Sequence, residues 1–136
     1  MSSGASVNQE CLSAYQELKA GKKIKYIVFG MSPDNTEIVV LSKSTEKSYD
    51  SFIEQLPENE CRWAVYDFEF DSGEGIRNKL VFYMWTPDGA KIKPKMVYAA
   101  SKDALRKSLV GIHTEIQGTD FDEVSEATVL EKVKRK

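Results

Sequence analysis

Basic side chains are concentrated on one predicted helix, and their spacing points to electrostatic binding. Lys95, Lys102 and Arg106 are separated by seven and four residues, which places them on one helix face. Residues 95–110 carry a charge of +3 in a chain whose net charge is −2. Met96 adds an apolar side chain beside these charges. The face suits an acidic protein surface or anionic lipid headgroups, although the same charges also suit an ordinary solvated face.

Two further basic clusters lie outside this helix. Arg77 and Lys79 follow a predicted hairpin loop, and side chains two residues apart on a strand share one face. The other cluster is at the C-terminus, where Lys132 precedes residues 134–136, which are all basic. The net charge of −2 argues against a general nucleic-acid binder, because such binding depends on excess positive charge. The basic clusters therefore predict local contacts with a protein or lipid partner.

Three carboxylates provide a candidate site for a different chemistry. Asp67, Glu69 and Asp71 alternate with aromatic residues, which places them on one face of a predicted strand. Calcium prefers converging oxygen ligands, but a strand spaces such side chains about 6–7 Å apart. A solvated strand face is therefore favoured, and a small metal-dependent enzyme is the weaker alternative.

Other catalytic or cofactor-binding patterns are missing from the sequence. His113 is the only histidine, and it stands alone in a predicted strand. Neither a P-loop nor a dinucleotide-binding glycine motif is present, and Cys11 and Cys61 have no CxxC spacing. These patterns therefore give little support for catalysis, and we predict no metal and no cofactor. The two cysteines predict buried thiols in a reducing compartment, hence the cytoplasm.

The pattern of apolar residues predicts one α/β (α+β) domain spanning residues 8–136, after a flexible tail at residues 1–7. A helix begins after Asn8 and ends at Gly21, and a short helix stops at Pro57. Four apolar segments predict two hairpins, with strands at 24–29, 37–41, 62–70 and 79–85. The sheet is expected to be mixed, with five to six strands and helices on both faces.

The second half of the chain predicts a long helix over residues 94–110. Its predicted apolar stripe slips near Ser101, which suggests a kink. A strand at 112–116 follows and is expected to be parallel to its neighbour. Two capping-box patterns, one starting at Asp120 and one at Thr128, predict two short C-terminal helices. The chain offers no apolar run of about 20 residues that would span a bilayer, and its N-terminus does not resemble a secretory signal.

Several stretches of the chain resemble the actin-depolymerising factor/cofilin family, most closely its fungal members. They are YAASKDALRKSL (98–109), AVYDFEF (64–70), KMVY (95–98), QGTDFDEVS (117–125) and the opening SSGASVNQECLSAYQELK. The resemblance covers essentially the whole chain in order. It implies a mixed sheet between helices with one long kinked helix, which agrees with the fold predicted from the residues.

The resemblance also implies a function. Family members are not enzymes; they bind actin monomers and filaments, prefer the ADP-bound form, and sever and depolymerise filaments. Phosphoinositides compete with actin for the basic surface. The implied protein is a monomer at the cytoplasmic, cortical actin cytoskeleton. A non-severing actin-binding module of the same superfamily is the alternative.

The resemblance assigns residues to two surfaces. The long-helix surface, for monomers and filaments, comprises Lys93, Lys95, Met96, Lys102, Asp103, Arg106 and Lys107, joined by Ser3 and Gly4 from the N-terminus. The hairpin surface, for filaments alone, comprises Arg77, Lys79, Glu131, Lys132 and Arg135.

The resemblance also implies a regulatory serine near the N-terminus, and this chain departs from its relatives at two lysines. Ser3 matches the serine whose phosphorylation inactivates many members, with Ser2 and Ser6 as alternatives. Lys93 and Lys107 stand where relatives often have arginine, and lysine lacks the planar fork of arginine. The basic nuclear-localisation run of animal members is absent, and residues 21–25 are only a weak substitute.

Overall fold

The computed structural model describes residues 5–21 and 24–135. Its strands are β1 (Ser6–Val7), β2 (Tyr26–Met31), β3 (Glu37–Ser44), β4 (Arg62–Asp71), β5 (Ile76–Trp85) and β6 (Thr114–Gly118). Its helices are α1 (Gln9–Lys19), α2 (Tyr49–Ile53), α3 (Ile92–Ser108) and α4 (Glu126–Lys134). The strands form one mixed sheet in the order β1-β3-β2-β4-β5-β6.

The pairing of the strands confirms both predicted hairpins. β2 pairs antiparallel with β3 and with β4, and β4 pairs antiparallel with β5. β6 pairs parallel with β5, as expected for a strand reached through a helix. β4 ends at Asp71 and β5 begins at Ile76, three residues earlier than predicted. Arg77 and Lys79 therefore both lie within β5.

Strand β1 comes from a segment that the sequence assigns to a flexible tail. Ser6 pairs with Glu37 and Val7 with Ile38 in a parallel arrangement at the sheet edge. Residues 6 and 7 therefore pair with the sheet, on the N-terminal side of the predicted domain boundary at residue 8. A strand of two residues is too short to show an alternating pattern, so sequence periodicity could not reveal it.

Two apolar cores separate the helices onto the two faces of the sheet. Trp63 and Val65 on β4 face the core that contains α1 and α3, whereas Ala64 and Tyr66 face the core that contains α2 and α4. Both faces of β4 are covered over residues 63–66, which explains the continuous apolar sequence of that part of the strand. Cys11 and Cys61 lie in the first core as free thiols, and burial is the main cause that raises the pKa of Cys11 to about 11.

The buried ridge of α3 differs from the predicted apolar stripe. Tyr98, Ser101 and Leu105 are buried, and Leu109 at the C-cap continues the ridge. Ala100, predicted to be in the stripe, is exposed. Ser101 is itself part of the ridge, so the buried residues follow one another at a regular helical spacing of three or four residues. The slip that the sequence predicts near Ser101 is therefore not observed. The kink in α3 remains a prediction.

The C-terminal segment forms one helix in place of the two predicted. Ser125 caps α4, and its Oγ accepts a hydrogen bond from the Thr128 amide at 3.3 Å, so the prediction of a cap at Thr128 is wrong. Asp120 does accept from the Glu123 amide at 3.0 Å, but residues 121–124 form only turns. A single turn provides too few helical hydrogen bonds to continue as a helix.

Candidate binding surface

The C-terminal end of α3 is held by side chains of α1. Tyr15 Oη and Lys19 Nζ both donate to the Val110 carbonyl, at 2.7 and 3.1 Å. Gly111 then turns the chain with a φ of +105°, a conformation that side chains with a Cβ rarely adopt. These contacts satisfy a carbonyl beyond the helix end and fix α3 relative to the rest of the domain.

Lys102 and Arg106 converge on one carboxylate beneath α3. Lys102 Nζ lies 3.1 Å from Glu115 Oε1, and Arg106 Nε lies 2.6 Å from Glu115 Oε2. Glu115 is on β6, where the next residue, Ile116, faces the opposite core. Alternation along the strand therefore turns Glu115 towards α3.

Glu115 was not among the site residues that the sequence predicts. The signal that could have found it is the alternation of β6, because an inward-facing Ile116 requires Glu115 to face α3. Its charge reduces the local field of the long-helix surface. The two cations and their shared carboxylate carry a net charge of +1, so the basic patch is weaker than the sequence count indicates.

The ionisation of Glu115 reflects competing effects. Partial burial acts to raise its pKa, but hydrogen bonds from Lys102 and Arg106, with their positive charges, outweigh burial and hold the pKa of Glu115 below its usual value. A carboxyl group with a lowered folded-state pKa stabilises the fold above its unfolded-state pKa. That contribution is lost as the pH falls through the folded-state pKa.

We expect Glu115→Gln to lower the free energy of unfolding at pH 7 by less than about 1 kcal/mol, since exposed ion pairs contribute little. The difference from wild type should disappear in acid, where Glu115 is protonated. Denaturant unfolding at pH 7 and below the folded-state pKa measures both values. Glu17→Gln is the matched control, because Glu17 contacts Lys43 in an exposed pair at 2.9 Å. A difference that grows on acidification would contradict this prediction.

The outward face of α3 combines apolar and charged side chains. Met96 is 65% exposed, and Ile92, one turn earlier, is 74% exposed. Asp103 and Lys107 are also exposed and lie on the same side, since successive residues rotate by about 100° around the helix. Sequence reasoning missed Ile92; its spacing of four from Met96 was the available signal. Lys95 is half-buried and lies towards Lys102 and Arg106, whereas Lys93 is exposed.

The hairpin surface joins two segments that are distant in sequence. Lys79 Nζ donates to the Val133 carbonyl in α4 at 3.3 Å and lies 5.7 Å from the centre of the Phe70 ring. This contact brings β5 beside the end of α4, where Glu131, Lys132 and Arg135 are exposed. Arg77 is different, because 58% of its side chain is exposed and its ion pair with Glu74 is long, at 3.7 Å.

Some predicted residues fall outside the described part of the chain. Ser3 and Gly4 of the predicted binding surface are among them, as are Lys22 and Lys23 of the weak nuclear-localisation run and Lys136 of the C-terminal cluster. The alternative serine, Ser6, lies in β1, where its Oγ is 3.4 Å from the Thr36 carbonyl.

The three alternating carboxylates have separate partners. Asp67 accepts from Asn78 Nδ2 at 3.2 Å, Glu69 pairs with Lys25 at 3.4 Å, and Asp71 accepts from the Gly73 amide at 2.9 Å. Within residues 5–21 and 24–135, no group of three or more His, Cys, Asp or Glu side chains could hold a metal ion. The metal-dependent enzyme is not favoured, because each of the three carboxylates is engaged with a partner of its own.

Known proteins match this chain along nearly its full length. It is 65% identical to cofilin from Mycosarcoma maydis, over 99% of this chain and 98% of the relative. It is 59% identical to cofilin from Schizosaccharomyces pombe, over 98% of each. The crystal structure of Streptomyces griseoflavus cofilin superimposes with a TM-score of 0.94 at 55% identity, covering 97% of this chain and 98% of that one. The family model described as cofilin/tropomyosin-type actin-binding protein matches residues 4–134, and the chain belongs to that family.

Proposed function

We propose that this protein binds actin monomers and filaments, with a preference for the ADP-bound form, and that it severs and depolymerises filaments. The observation that carries the proposal is the match to the actin-binding family model across residues 4–134. The exposed mixture of apolar and charged groups on α3 supports it, because protein interfaces combine apolar anchors with charged groups that set orientation.

The long-helix surface would hold one actin subunit. Ile92 and Met96 supply exposed apolar area, and Lys102 and Arg106 supply charges whose positions are set by Glu115. Ser3, Gly4, Lys93, Lys95, Asp103 and Lys107 complete the proposed contact. Lysine at residues 93 and 107 provides point charges rather than bidentate hydrogen bonds.

The hairpin surface would contact a second subunit, which only a filament offers. Arg77 and Lys79, with Glu131, Lys132 and Arg135, are the proposed residues. The Lys79–Val133 contact supports treating β5 and α4 as one surface. The presence of Arg77, Lys79 and the basic residues of α4 also favours a severing protein over a non-severing module, which would lack the second contact.

The protein would act by binding rather than catalysis, as a monomer at the cytoplasmic, cortical actin cytoskeleton. Phosphoinositide headgroups would compete with actin for the basic residues of α3. None of the described helices has the length and apolar character needed to cross a membrane.

Co-sedimentation with actin filaments tests the proposed function. We expect the protein to pellet with filaments and, in the same samples, to raise the amount of actin left in the supernatant. A second assay should measure the affinity for ADP-actin and ATP-actin monomers. Pelleting without an increase in supernatant actin would favour the non-severing module, and no binding in either assay would contradict the proposal.

We expect Ser3→Asp to lose actin binding and depolymerising activity, whereas Ser3→Ala should keep both. A phosphate adds about −1.5 to −2 charges at pH 7, which an acidic actin surface would repel. Monomer affinity and supernatant actin should be measured for both variants. Full activity of Ser3→Asp would mean that this residue is not in the contact, and Ser2→Asp and Ser6→Asp would then locate the regulated serine.

A further inference from the structure

Ser101 connects the long helix to the beginning of the chain. Its side chain lies in the buried ridge of α3, and the residue is only 1% exposed. Its Oγ accepts a hydrogen bond from the backbone amide of Ala5 at 3.1 Å, across 96 residues of sequence. Ala5 is itself 8% exposed and belongs to the core that α3 covers.

The residues after Ala5 are held by a different element. The Ser6 amide donates to the Thr36 carbonyl at 3.1 Å, and the Asn8 amide donates to the Ile38 carbonyl at 2.9 Å. Pairing with β3 therefore fixes residues 6–8, whereas the Ala5 amide is bonded to α3. The Ser101 hydroxyl therefore bonds the chain at the point where it passes between the long helix and the sheet edge.

A serine inside a helix ordinarily bonds within its own helix, to the carbonyl four residues earlier. Ser108 behaves in this way, since its Oγ donates to the Ala104 carbonyl at 3.1 Å. Ser101 instead accepts from a distant segment, at a position where an apolar residue would continue the ridge. A buried amide left without an acceptor is unfavourable, so the polar residue in the ridge is explained by the amide that it satisfies.

We propose that Ser101 is a positioning residue that anchors the N-terminal segment beside the long-helix surface. The inference rests on the proposed function, in which the N-terminus and α3 contact the same actin subunit. Anchoring at Ala5 would restrict the chain before binding and so lower the entropy that must be lost in the complex. Ser101 acts through the backbone of Ala5 and has no contact with actin in this proposal.

Hydrogen exchange in the free protein tests the anchor without actin. We expect Ser101→Ala to increase the exchange rate of the Ala5 amide at least tenfold, while the Leu105 amide inside α3 keeps its rate. Ser108→Ala is the matched control, since it removes a hydroxyl of the same helix that does not contact the N-terminal segment. An unchanged Ala5 exchange rate in Ser101→Ala would overturn the proposal.

Actin binding tests the consequence of the anchor. We expect Ser101→Ala to weaken monomer binding about tenfold, and Ala5→Pro, which removes the donor, to have the same effect. The double variant should bind actin monomers no more weakly than either single variant, because both changes break the same hydrogen bond. Additive losses would overturn the proposal.

The anchor can still be tested if Ser101→Ala does not fold or if the wild-type protein does not bind actin. If Ser101→Ala does not fold, Ala5→Pro tests the same hydrogen bond without changing the ridge of α3, and normal monomer affinity in that variant would overturn the proposal. If the wild-type protein does not bind actin, the proposed function fails, while the exchange rate of Ala5 still decides whether Ser101 anchors the segment.

Discussion

Lys102→Ala combined with Arg106→Ala is expected to weaken actin-monomer binding by about 30-fold or more and to weaken filament binding as well. Truncating one partner of a charged pair that is buried in an interface commonly costs about 2–5 kcal/mol, and about 1.4 kcal/mol corresponds to tenfold in affinity. Both side chains are partly exposed, so the fold should survive their removal. Monomer affinity, filament co-sedimentation and thermal unfolding should be measured on the same preparation.

Glu115 adds a second effect to this double variant. Without Lys102 and Arg106, its carboxylate has neither of its ion-pair partners and faces the proposed acidic surface of actin. Adding Glu115→Gln removes this repulsion. We therefore expect the triple variant to bind better than the double variant but more weakly than wild type, since the cationic contacts are still missing.

A matched control removes a basic residue from elsewhere on the surface. Lys43 on β3 forms an exposed ion pair with Glu17, and it is not part of either proposed surface. Lys43→Ala should leave monomer affinity within about twofold of wild type, because exposed pairs contribute little. Near-normal monomer affinity in a folded Lys102→Ala, Arg106→Ala variant would refute the assignment of α3 as the main contact.

Sequence patterns predict the main elements of this fold because those elements have strong local signals. The Asn8 cap is confirmed, with its side chain accepting from the Glu10 amide at 2.8 Å. The apolar segments of β2, β4 and β5 are covered on both faces by the two cores, so their continuous pattern was informative.

The features that sequence patterns do not reveal are contacts between distant segments. β1 has only two residues, and its pairing depends on β3. Alternation along β6 places Glu115 on the α3 side of the sheet, but only the tertiary structure shows that this one acid among 21 meets Lys102 and Arg106. Ser101 interrupts the apolar stripe in sequence, but it fits the buried ridge once the Ala5 amide is present.

Sequence spacing also fails to distinguish the two strand residues of the hairpin surface. Spacing alone treats Arg77 and Lys79 as equivalent charges on one strand face. In the structure, Lys79 is half-buried and bonded to the Val133 carbonyl, whereas Arg77 extends into solvent. Tertiary contacts therefore divide the pair into a residue that holds α4 and a residue that is free to reach a partner.

Arg77→Ala combined with Lys79→Ala is expected to abolish filament binding and severing but to leave monomer affinity within about twofold of wild type. Arg77 precedes Phe82, the register partner of Glu115, by five residues on β5, so Arg77 lies about 16 Å along the strand from the position beside Glu115. One actin subunit can then occupy the long-helix surface while its neighbour in the filament contacts the hairpin surface.

The single variants distinguish the two residues of this pair. Arg77→Ala should lose a direct contact with the second subunit. Lys79→Ala should act by releasing the end of α4, where Glu131, Lys132 and Arg135 lie, so amide exchange at Val133 and Lys134 should accelerate in this variant alone. Lys79→Arg keeps a donor for the Val133 carbonyl and should retain filament binding. Ordinary solvated charges would change affinity by less than about fivefold, since exposed pairs contribute about 0.2–1 kcal/mol. Equal losses for monomers and filaments in the double variant, or no loss for either, would show that these residues do not form a filament-specific site.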